Sequence, residues 1–154
     1  GMIERAYNLK NIVSTFGWLI ATTALPLAAA GADAASFTTA CSFVFALVLF
    51  RNILLDIIAF QGDLIFGMQT FSTMLGVQSA GRIAIAVSVA AGAVFAAFTL
   101  AAGKALFLVF LANLAYFTAV YLRIRSKDYF IALKYEMLLD FNFVLFAALY
   151  FLVL

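Results

Sequence analysis

The stretch Ser36-Phe-Thr-Thr-Ala-Cys41-Ser-Phe-Val-Phe-Ala-Leu-Val-Leu-Phe50-Arg51-Asn-Ile-Leu-Leu-Asp56-Ile-Ile-Ala59-Phe-Gln-Gly62-Asp63 decides the fold. From Ser36 to Leu55 it is an apolar block whose only charge is Arg51. About 20 such residues, coiled as an α-helix, cross a hydrocarbon core roughly 30 Å thick. A β-barrel strand would alternate polar and apolar residues; this block does not, so a helix is the form that satisfies its backbone in lipid. Two carboxylates follow, Asp56 and Asp63. Acids beside a bilayer core are costly to place and are functional suspects by default. Seven residues are almost two helical turns, so a helix carries both on one stripe. Paired hard oxygen ligands suit Mg²⁺, which takes one or two protein carboxylates together with substrate phosphates. The pattern points to chemistry on a diphosphate at a membrane surface.

The rest of the chain agrees with a membrane setting. Of 154 residues, 68% are hydrophobic and 10% charged, and the mean hydropathy is +1.16. A soluble domain is about 45–50% apolar and about 25% charged. The reading is therefore an all-α, polytopic membrane helix bundle, a single membrane domain over residues 1–154. Five spans are predicted: Ile12 to Ala30, Ser36 to Leu55, Ile83 to Ala102, Ala105 to Leu122 and Met137 to Leu154. Gly31-Ala-Asp33, Gly103-Lys104 and Arg123-Ile-Arg125-Ser-Lys127-Asp128 form the breaks between spans.

Lys and Arg set the orientation. They number 2, 0, 2, 1 and 4 in successive extramembrane segments. This places the N-terminus and both aspartates on the cytoplasmic side of the cell (inner) membrane, and the C-terminus outside. The first ten residues lack a signal-peptide cleavage site. The cations are scattered and the net charge is only +2, so no nucleic-acid surface is expected. With no His, imidazole ligands and Ser-His-Asp triads are excluded. Cys41 reads as a small buried hydrophobe.

Asp56 to Arg82 is the one long connector, read as a helix end, a turn and a membrane-surface helix over roughly Phe66 to Leu75. Gly62 beside Asp63 is read as relief for a sharp turn or a close ligand. The small residues Ala90, Ala91, Gly92, Ala93, Ala96 and Ala97 are read as packing material for close helix approach.

Arg51-x4-Asp56-x5-Gly62-Asp63-x3-Gly67-x2-Thr70-x4-Leu75-Gly76 resembles, without gaps, the second aspartate-rich motif of the UbiA-type polyprenyltransferases. Leu9-Lys10-Asn11 ahead of Gly17-Trp18 resembles the entry to that family's fifth helix. Tyr135-Glu136-x3-Asp140 resembles the start of its last helix. The resemblance implies helices five to nine of a nine-helix bundle, the chain being a fragment, one half of a split protein whose N-terminal half is a partner, or a decayed copy.

It further implies transfer of an isoprenoid chain from a polyprenyl diphosphate to an aromatic or other lipid-soluble acceptor, with Mg²⁺, as in quinone biosynthesis. Asp56 and Asp63 would be catalytic metal ligands, and Arg51, Lys10 and Asn11 would contact the diphosphate. Phe60, Phe66 and Tyr116 are candidate faces for an allylic cation. Ala59 stands at the family's middle aspartate, Asn52 and Gln61 stand where Glu is usual, and the first aspartate motif is absent. These departures motivate the alternative, a non-catalytic remnant or scaffold of the same fold. A transporter or channel subunit fits less well, because spans one, three and four carry no ionisable group in their interiors.

Overall fold

The computed structural model describes residues 10–101, 106–125 and 132–153. Arg5, Leu9, the Gly103-Lys104 turn, Ser126-Lys127-Asp128 and Leu154 lie outside the described residues. Among the described residues the chain is all-helical. We number the helices α1 (Lys10–Ala29), α2 (Ala34–Ile65), α3 (Phe71–Leu75), α4 (Val77–Ala101), α5 (Leu106–Arg125) and α6 (Ala132–Val153). Three of them, α1, α2 and α4, are long and apolar enough over their described residues to cross a membrane.

α2 is the hub, touching α1, α3, α4, α5 and α6, and its most extensive packing is with α4. Its buried residues run almost without interruption from Phe43 to Ile58. A helix that is apolar all round is stable only when covered all round, which is the position α2 occupies. At 32 residues and 1.5 Å per residue it is about 48 Å long. That exceeds a hydrocarbon core of roughly 30 Å, so one end projects beyond it.

α4 meets α2 and α5 through small side chains. Ala80, Ala84, Ser88 and Gly92, spaced every four residues, are all buried. Close approach through small residues is how helices associate where lipid removes the hydrophobic drive. Ala90, Ala93 and Ala97, expected in this role, are exposed, and Ala91 and Ala96 are half-buried. Their register puts most of them on the outward face. Opposite Gly92 sits Phe110, stacked on Phe95 with ring centroids 5.0 Å apart and edge-on to Phe43 at 5.6 Å. A second stack, Phe50 on Phe117 at 5.1 Å, joins α2 to α5.

Polar side chains within the apolar helices largely satisfy themselves locally. Thr15, Thr22, Thr38, Thr39 and Ser42 each donate to the carbonyl four residues back. α1 widens to a π-helical turn over Ile20–Ala24, closed by the Leu25 N–H on the Ile20 carbonyl. Pro26 follows at once and has no N–H for the ordinary i−4 bond.

α1 ends at Gly31, whose φ of 67° a side chain would disfavour. Asp33 then caps α2, accepting from the Ala35 and Ser36 amides at 3.0 Å and from the Ser36 hydroxyl at 2.7 Å. The Ser36 hydroxyl bond, then its amide bond, hold the Asp33 carboxyl below its ordinary range.

Two expectations follow. A Cβ at position 92 would come 2.6 Å from the Phe110 ring, which its two aromatic neighbours hold in place. Gly→Ala in a helix interior ordinarily gains about 0.5–1 kcal/mol, but overpacking costs about 1–3 kcal/mol. Gly92→Ala should therefore destabilise the bundle in detergent unfolding, and a stabilised variant would contradict this packing. Because the Asp33 value is lowered, the cap contributes fully above the ordinary carboxylate range and fades as pH falls through the lowered value. Hydrogen exchange at Ala35 and Ser36 should show that loss in acid. Asp33→Ala should abolish it, and an unchanged acid dependence in the variant would remove Asp33 as its source.

Candidate functional site

The first turns of α1 lie against the second half of α2 in antiparallel register. Asn11 Nδ2 donates to Asp56 Oδ2 at 2.5 Å. One turn along, Asn52 Nδ2 donates to Thr15 Oγ1 at 3.2 Å. A step of four forward on α1 is matched by a step of four back on α2, so the two contacts are rungs of one ladder. The Thr15 hydroxyl donates to the Asn11 carbonyl at 2.6 Å, tying the rungs together. All four side chains are buried, Asp56 at 6% exposure.

α3 closes the site from the other side. Gly67, with φ 65°, turns the chain after α2, and Thr70 forms a capping box with Thr73. This sets Ser72 to donate to the Asp56 backbone carbonyl at 2.6 Å. The Asp56 carboxylate accepts from Asn11, and a buried carboxylate is tolerated when donors replace its lost water. Hydrogen bonds to a charged group are worth roughly 1.5–3 kcal/mol each.

Lys10 and Asp63 lie within electrostatic reach of Asp56, the first attractive and the second repulsive. Lys10 is exposed and Asp63 half-buried. Seven residues at 1.5 Å put Asp63 about 10.5 Å beyond Asp56 along the α2 axis. The two carboxylates share a stripe, as the spacing predicts, about two turns apart. Asp56 is enclosed because Asn11 and α3 cover it. Ala59 and Gly62, further along, are exposed.

Other residues lie apart from Asp56. Arg51, expected at the diphosphate, does not face Asp56. Five residues turn it about 140° around the helix, and it pairs instead with Asp140 on α6, Nε and Nη2 lying 2.9 and 2.5 Å from Oδ1. Its guanidinium also lies over the Phe143 ring at 5.9 Å. With side chains 25% and 58% exposed, such a pair is worth about 0–1 kcal/mol. Asp140 sits well inside α6, which starts at Ala132 and not near Met137. Gly62 is helical, and the turn belongs to Gly67. Tyr116 is not grouped with Phe66: its hydroxyl donates to the Leu138 carbonyl at 2.6 Å, tying α5 to α6, while Phe66 is 81% exposed.

Sequence reasoning missed Thr15 and Ser72 and assigned Asn52 no role. The signal was present. Asn11/Thr15 and Asn52/Asp56 are two i,i+4 polar pairs on otherwise apolar helices, and such pairs seek each other in a bundle.

Asp56, Asp63 and the Asn11 side-chain oxygen are hard ligands of the kind Mg²⁺ takes. No protein-family model, curated protein or solved structure matches the chain.

Ser72→Ala removes the α3 anchor on Asp56. A hydrogen bond of this kind contributes about 0.5–1.5 kcal/mol. Hydrogen exchange across Phe71–Leu75 should accelerate roughly 2- to 13-fold while exchange in the middle of α2 is unchanged. Equal protection in both proteins would mean the bond does not hold α3.

Proposed function

We propose that this chain is the C-terminal half of a UbiA-type membrane prenyltransferase, with five spans and its aspartate stripe facing the cytoplasm. The supporting observation is the meeting of Lys10 and Asn11 on α1 with Asp56 on α2. Those residues come from two separate stretches of family resemblance, more than 40 residues apart in the chain. Asp56 and Asp63 would hold Mg²⁺, which when bound neutralises charge on a departing diphosphate.

The chain's own residues have distinct tasks in this reading. Asn11 keeps Asp56 in place and leaves Asp63 as the more accessible carboxylate. Lys10, exposed beside them, supplies a positive charge for phosphate oxygens. Exposed apolar residues around the α2–α3 turn, among them Ile65, Phe66, Met68 and Met74, keep this end at the headgroup boundary, where a lipid-soluble donor arrives. The carbon–oxygen bond of the donor breaks, and its electron pair leaves with the diphosphate. The acceptor attacks the allylic cation and then loses a proton to solvent or diphosphate.

A second reading, a non-catalytic scaffold of the same fold, draws on Ala59 and on the engagement of Arg51 by Asp140. The two part in a binding measurement. Purified protein in detergent should bind farnesyl diphosphate only with Mg²⁺, and Asp63→Asn should weaken that binding by about tenfold or more. Asp33→Asn, at the opposite end of α2, should leave it unchanged. Absence of Mg²⁺-dependent binding favours the scaffold and overturns the transferase reading.

A further inference from the structure

The interior of the bundle contains a polar feature distant in sequence from the aspartate stripe. Ser88 on α4 and Asn113 on α5 are 3% and 2% exposed. Both line one small cavity of about 20 Å³, walled by Phe43 and Ala46 of α2 and by Phe110 and Phe117 of α5. Asn113 Nδ2 donates to the Val109 carbonyl at 2.8 Å. That bond fixes the amide orientation, since only the NH₂ end can face a carbonyl. Asn113 Oδ1 and Ser88 Oγ are both without a protein partner. Two unpaired polar atoms beside one cavity in an apolar bundle need an explanation.

We propose that Ser88 and Asn113 hold one ordered water between α4 and α5. The chemistry matches at each end. The water accepts from the Ser88 hydroxyl and donates to Asn113 Oδ1. A single water needs roughly 10–15 Å³ of such space and 2–4 polar partners, and the cavity meets both conditions. A metal cation does not fit, because hard cations take six or more oxygens and two are offered. The bridge joins α4 to α5 where small residues let them approach, and it lets two polar side chains stay buried without touching.

A crystal structure of the full chain in lipidic mesophase, at a resolution where waters are ordered, tests the site. The expected result is one density peak within hydrogen-bond distance of both Ser88 Oγ and Asn113 Oδ1. Direct contact between the two side chains, or no peak, overturns the proposal. Denaturant titration in detergent provides the second readout. Ser88→Ala and Asn113→Leu should each lower the folded-to-unfolded ratio about threefold, the scale of interhelical polar contacts in membranes. The double variant should lose no more than the worse single one, because both remove the same bridge. Losses that multiply would mean the two residues do not share a partner.

Discussion

A buried carboxylate inside an apolar bundle must find donors, and the bond from Asn11 to Asp56 is where this chain meets that demand. Both side chains are buried, so each depends on the other for its partner. The bond therefore fixes how far α1 slides along α2. Once that register is set, Thr15 falls opposite Asn52, and the Asp56 backbone faces α3. Ser72 then holds the short helix in place. One contact thus orders three elements that the chain visits at widely separated points.

Elsewhere the bundle relies on shape. Lipid is as apolar as a leucine side chain, so helices gain little from hiding apolar surface from it. α4 answers with a row of small residues, and α5 fills the space with Phe110 and Phe117. Many large apolar side chains stay on the outside, among them Val13, Trp18, Val89, Leu122 and Val144. In water such a surface would be a liability; against acyl chains it is the expected exterior.

Much of this was legible in the sequence. The Gly31-Ala-Asp33 break follows from residue chemistry alone, the predicted spans are shorter than the helices they fall on, and the surface helix predicted over roughly Phe66 to Leu75 is confined to Phe71–Leu75. The second span is predicted to stop at Leu55, with a helix end in the connector that follows. A helix does not end where lipid ends: Ile57 and Ile58 continue the buried face, and the ladder of backbone bonds runs on to Ile65. The last span is predicted from Met137, and α6 begins earlier, at Ala132. The stripe shared by Asp56 and Asp63 followed from helical periodicity. The partner of Arg51 did not, because Asp140 lies 89 residues away and only tertiary packing chooses it. The Ser72 contact was equally hidden, since it depends on the turn that Gly67 makes.

The proposed function inherits its geometry from the α1–α2 ladder. Lys10 stands beside the aspartates only if Asn11 holds α1 at the level of Asp56. The most direct measurement is a double-mutant cycle on the stability of the detergent-solubilised protein, built from Asn11→Ala, Asp56→Ala and the combined variant. Residues in contact couple by about 0.5–3 kcal/mol, and the account predicts a coupling in that range. Two effects that simply add, within roughly 0.5 kcal/mol, would contradict the ladder and the site arranged around it.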